Sequence, residues 1–101
     1  MNRKIALQPD ENILSTLSGL MESFDGTHNV YFGDLVLTNK RLYVVGKKPL
    51  PVEESLWFEE ETRDVGPSTL IVGEQSVTVK WTYNGNLKSL MKVFQRLAAS
   101  T

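Results

Sequence analysis

The chain has no cysteine and only one histidine, and these two shortages remove most familiar catalytic arrangements. Without thiols there is no disulfide framework, no zinc ribbon and no cysteine nucleophile. With His28 as the only imidazole, no Ser–His pair or histidine-rich metal site can be assembled with any redundancy, and beside Asp25 and Asn29 it reads as an ordinary exposed loop side chain. The densest carboxylates, Glu59-Glu60-Glu61 with Asp64, are nearly contiguous. They lack the spacing of a calcium loop and cannot face each other across a cleft as paired catalytic acids do, so they read as a solvated loop. No catalytic residue, metal ligand or cofactor is assigned, and the chain is expected not to be an enzyme.

Long apolar runs are missing too: none approaches the ~20 residues of a membrane span. The basic start Met1-Asn2-Arg3-Lys4 is followed only by Ile5-Ala6-Leu7 before Gln8-Pro9-Asp10 intervenes. A signal-peptide core is therefore not expected, and a cytoplasmic location is. Charge of one sign is also lacking. The net charge is -1 and the pI about 5.8, so no global field draws the chain to nucleic acid or anionic lipid, and no nucleic-acid partner is expected. A length of 101 residues with 41% hydrophobic content fits a single domain over residues 1–101.

The chain is rich in alternation. In Gly33-Asp34-Leu35-Val36-Leu37-Thr38-Asn39-Lys40-Arg41-Leu42-Tyr43-Val44-Val45-Gly46, Leu35 and Leu37 share one face, as do Leu42 and Val44 beyond the turn. This predicts a hairpin with one apolar surface. Thr38-Asn39-Lys40-Arg41 is the expected turn, because Thr38 can bond to the local backbone and Asn39 tolerates tight geometry. A first strand is expected over Ile13–Met21, a turn over Ser23–Asn29, and a break at Lys47-Lys48-Pro49-Leu50-Pro51. Further strands are expected over Glu54–Phe58, Ser68–Val72 and Ser76–Thr82. The piece Thr62–Val65 reads as a weak strand or an irregular crossing. Val77, Val79 and Trp81 alternate with polar residues and are expected to face inward together. Asn86 is an N-cap for a helix over Leu87–Ala99, whose apolar positions recur at three and four, with Lys88, Lys92 and Arg96 on another stripe. The fold class is mainly β with one C-terminal helix.

Two motifs carry a family resemblance. Pro9-x-Glu11 with Ile13-Leu14 after it, and Leu37-Thr38-Asn39-Lys40-Arg41-Leu42, resemble the signature of GRAM and bacterial pleckstrin-homology-like (PH-like) domains over roughly residues 7–99. The closing helix offers Phe94 where eukaryotic pleckstrin homology domains typically carry tryptophan. The resemblance implies a PH-like barrel of about seven antiparallel strands in two orthogonal sheets, capped by the helix. It also implies a ligand mouth at the loops 23–29, 47–51 and 73–75. Only the middle loop is basic, and Glu22, Asp25 and Glu74 surround it with repelling charge. Strong phosphoinositide selectivity is therefore not expected, and membrane association would be weak.

These patterns single out two sets of candidate site residues. An outer apolar strip of Val36, Tyr43 and Val45 with Trp57 or Phe58, opposite the core-facing leucines, is expected to contact another protein or a second copy of the chain. Lys40, Lys47 and Lys48 are the residues for the alternative reading, a peripheral membrane or small anionic ligand site. Arg41 is expected to tie the turn or the Glu59–Glu61 run together. The adjacent pairs Tyr31-Phe32 and Trp57-Phe58 should each send one ring inward and one outward.

Overall fold

A computed structural model describes residues 7–24, 26–48, 51–58, 62–65 and 68–99. The strands β1 (Ile13–Phe24), β2 (His28–Thr38), β3 (Arg41–Lys48), β4 (Val52–Trp57), β5 (Thr62–Val65), β6 (Thr69–Val72) and β7 (Gln75–Gly85) precede one helix, α1 (Leu87–Ala99). All strand pairs are antiparallel, and the ladder runs continuously in the order β4-β3-β2-β1-β7-β6-β5. The result is one curled sheet, with α1 packed on β1 and β5.

Alternation sets the core. Leu35, Leu37, Leu42 and Val44 are all at most 2% exposed, so the central hairpin buries the face its sequence marks out. Val77 and Val79 of β7 and Leu70 and Val72 of β6 extend that face, and Leu90, Met91 and Phe94 of α1 close it. Lys88, Lys92 and Arg96 point to solvent. The helix begins where the cap requires: Ser89 N donates to Asn86 Oδ1 at 2.9 Å, and Leu90 N donates to Asn86 O at 3.1 Å. Asn86→Ala is expected to lower stability by about 1 kcal/mol, seen as a lower urea midpoint at unchanged slope.

The boundaries differ from expectation where pairing outruns composition. Ser23 pairs with Asn29 and Phe24 with His28, so both ends of the expected turn over Ser23–Asn29 belong to strands and His28 opens β2. Residues 62–65 pair fully with β6, which makes them a strand. β7 continues past Thr82 to Gly85, where φ is 92°. Asp25, Pro49, Leu50, Glu59, Glu60, Glu61, Gly66 and Pro67 lie outside the described residues, as do the side chains of Asp64 and Ala98.

The sharpest departure is in β7. Val79 pairs with Met21 and Trp81 with Leu20, so Lys80 is an extra residue; Thr82 pairs with Gly19 and Asn84 with Ser18, so Tyr83 is another. Each bulge re-aims the side chains beyond it. Trp81 consequently leaves the face of Val77 and Val79 and is 58% exposed. The expectation that it faces inward with them is corrected. Gly19 allows the geometry, since a Cβ there would lie 1.9 Å from the Trp81 carbonyl oxygen. Its cross-strand partner Gly33 repeats the device: Lys47 is extra opposite the Phe32–Gly33 step, and a Cβ at Gly33 would lie 2.0 Å from the Val45 carbonyl oxygen.

Candidate interaction surface

The two motif segments meet as a clasp. Pro9 and Asp10 form a turn closed by Glu11 N donating to Gln8 O at 3.0 Å, with Asp10 at φ 66°. The turn delivers Glu11 beneath the β2–β3 loop. There its carboxylate accepts from Gln8 N at 2.8 Å, from the Thr38 hydroxyl at 2.7 Å and from Arg41 Nε at 2.9 Å. Thr38 Oγ1 also accepts from the amides of Lys40 and Arg41 at 3.1 and 2.9 Å, which shapes the reversal. Asn39 locks the outside: Asn12 N donates to its Oδ1 at 2.7 Å, and its Nδ2 donates to Asp10 O at 2.9 Å. The Glu11 side chain is fully buried and that of Arg41 is 8% exposed. Burial pushes the Glu11 pKa up, but the Gln8 amide, the Thr38 hydroxyl and the Arg41 guanidinium together hold it below its ordinary value.

Arg41 continues onto the outer face of β3 and β4. Its Nη1 donates to Ser55 Oγ at 2.8 Å, and its guanidinium lies 4.5 Å from the Trp57 ring centroid and 5.1 Å from that of Tyr43. The Tyr43 hydroxyl donates to Glu53. These long polar side chains cover the expected apolar strip. Tyr43 is 5% and Val45 3% exposed, so the exposure expected for them is corrected, while Val36, Trp57 and Phe58 are half-buried. Phe58 turns toward the helix and meets Phe94 edge-on at 6.0 Å.

The three lysines do not converge. Lys40 sits at the clasp, where its Nζ donates to Pro9 O at 3.0 Å. It borders a cleft of about 530 Å³ together with Gln8, Asn39, Trp57 and Phe58. Lys47 and Lys48 end the same strand, on the order of 20 Å away at ~3.3 Å per residue. Lys47 is paired with Asp34 at 3.1 Å. Among the described residues no group of three acidic, histidine or cysteine side chains could hold a metal.

An exposed aromatic surface lies elsewhere, across β2, β1 and β7. Leu20 pairs with Phe32 on one side and Trp81 on the other, which puts the three on one face. Phe32, Trp81 and Tyr83 are 40%, 58% and 51% exposed. Tyr83 contacts both rings, at centroid distances of 6.5 Å from Phe32 and 5.8 Å from Trp81. Tyr31, beside Phe32, is 1% exposed, so that pair splits inward and outward as expected. Val30 follows on the same face of β2 opposite Glu22, which is held by Lys80 at 3.6 Å and by His28 at 3.1 Å, and Phe24 lies beyond that charged group with its ring 4.9 Å from that of His28.

Trp81 and Tyr83 were not legible as surface residues from alternation, which continues unbroken through Val77, Val79, Trp81 and Tyr83. The available signal was Gly19, since a glycine inside a strand marks a bulge or a close backbone approach. The fold and surface thus define a mainly β, helix-capped module with an aromatic outer face. Comparison with protein-family models, curated proteins and solved structures finds no match to the chain.

Proposed function

We propose that this chain is a non-enzymatic, cytoplasmic interaction module of PH-like architecture, with about seven strands in two orthogonal sheets capped by α1, and that it binds protein or associates with itself as a scaffold. The contiguous cluster of Phe32, Trp81 and Tyr83 carries this reading. Large aromatic side chains left in water beside one another favour a partner that covers them. The curled antiparallel sheet and the Glu11–Thr38–Arg41 clasp give physical sense to the motifs behind the PH-like resemblance. We assign the contact to this cluster, with Val36 on the same face of β2. The lipid or small-anion reading finds less support, because Lys47 is engaged by Asp34 and Lys40 lies at the other end of β3.

A photo-crosslinking amino acid at position 83, compared with one at the solvent-facing Lys88, tests the proposal in extracts of the source cell. Protein adducts should form at position 83 and not at 88. Absence of protein adducts at 83 would overturn it, as would co-sedimentation with phosphoinositide vesicles that Lys47→Glu with Lys48→Glu abolishes.

A further inference from the structure

We propose that a cleft between the start of β1 and the last turns of α1 binds a long-chain carboxylate, a single alkyl chain with an anionic head. The cleft measures about 470 Å³ and is lined by Leu14, Val93, Arg96 and Leu97, none of which belongs to the aromatic face. It arises from a further bulge. Ile13 pairs with Thr38 and Ser15 with Leu37, so Leu14 is an extra residue opposite β2, and a bulge re-aims the side chain it carries. On the other side β7 pairs with β1 only over Leu17–Phe24, so Leu14 stands where the sheet gives way to the helix. It is 42% exposed. Val93, Arg96 and Leu97 follow one another at offsets of three and one, which puts them together on one side of α1.

The lining selects the ligand. Leu14, Val93 and Leu97 are aliphatic and no ring lines the cleft, which suits a flexible alkyl chain rather than a planar group, and the volume lies within the roughly 300–1,000 Å³ of small-ligand sites. The polar group is the Arg96 guanidinium, whose fork matches a carboxylate. Among the described residues no acidic side chain pairs with it. The surrounding charge has the same sign: α1 carries Lys88, Lys92 and Arg96 with no Asp or Glu, and β5, also packed on α1, carries one residue of each sign, Arg63 and Asp64. A cationic or neutral head leaves that field unanswered. The chain's own segment before Leu7 does not answer it either, since Arg3 and Lys4 repeat the sign of the stripe.

The experiment is a titration of the purified chain with octanoate and with decanoate, each below its micelle-forming concentration, followed by methyl and amide chemical shifts. Saturable shifts should centre on Leu14, Val93 and Leu97, and decanoate should bind more tightly by about threefold per added methylene. Arg96→Gln should weaken decanoate about fivefold. Lys88→Gln removes the same charge about 12 Å along the helix, beyond the screening length, and should change binding less than about twofold. Both side chains are exposed, so neither variant threatens the fold. Decylammonium shifting the same methyls as tightly as decanoate would overturn the inference, because the charge would then select nothing. Absence of saturable shifts, shifts confined to the aromatic face, or an Arg96→Gln variant that binds like the wild type would overturn it equally. So would co-sedimentation with phosphatidylglycerol vesicles without decanoate binding, by assigning the basic stripe to a membrane surface.

Discussion

Glu11→Ala is expected to destabilise the chain by about 3–5 kcal/mol, because it removes the buried carboxylate that pairs with the Arg41 guanidinium at 2.9 Å. The loss goes beyond one ion pair. The Gln8 amide and the Thr38 hydroxyl donate to the same carboxylate, so the amide loses its acceptor and the fully buried Thr38 hydroxyl is left with only the longer bond to the Arg41 carbonyl at 3.1 Å. For that reason an apolar swap of both partners, which often spares stability at a simple buried pair, should not restore it here. Arg41→Lys should also be poorly tolerated, since one ammonium cannot reach Glu11 and Ser55 while lying over Trp57 and Tyr43. The pH dependence has a definite sign. A folded-state pKa held below the ordinary 4.5 means the contribution is complete above the ordinary carboxylate range and is lost as pH falls through the lowered folded value. Wild-type stability should therefore decline on acidification below about pH 5, and Glu11→Gln should flatten that decline. Urea midpoints measured across pH 3–7 for both proteins check it.

Phe94→Ala should cost a similar amount, about 3–5 kcal/mol. Phe94 is fully buried, lies with Leu90 and Met91 on the core side of α1, and meets Phe58 edge-on. Phe58 comes directly after β4 while α1 packs on β5, so this ring ties the two ends of the curled sheet through the helix. Its removal opens a cavity at the closure itself, where collapse of the surroundings would require the helix to shift. Phe94→Leu, which keeps most of the volume, should cost about 1 kcal/mol. Urea unfolding with both variants separates the cavity from the aromatic contact.

Local patterns made much of the architecture legible. The β2–β3 hairpin, the N-cap at Asn86 and the extent of α1 arise from alternation, one side-chain acceptor and helical spacing, and each is seen as expected. Features that depend on how one strand meets another were hidden. Nothing along β7 announces that Lys80 and Tyr83 are extra residues, because a bulge is a property of the pair β1–β7 rather than of either strand. The same limit applies to Tyr43 and Val45: alternation assigns them correctly to the outer face, but only the β3–β4 register shows Arg41 and Glu53 lying over that face. The partnership of Glu11 and Arg41, 30 residues apart, was visible as two motifs without any sign that they touch.

The clasp and the aromatic face have opposite relations to stability. Trp81, Tyr83 and Phe32 are assigned to contact, so their removal should leave the monomer standing. Urea unfolding of Trp81→Ser, at a concentration low enough to keep the chain monomeric, tests this directly. A stability within about 1 kcal/mol of the wild type is the expected result, since only ring–ring contacts at the surface are lost. A loss of about 3 kcal/mol or more would contradict it, by showing that the exposed rings hold the fold together rather than await a partner.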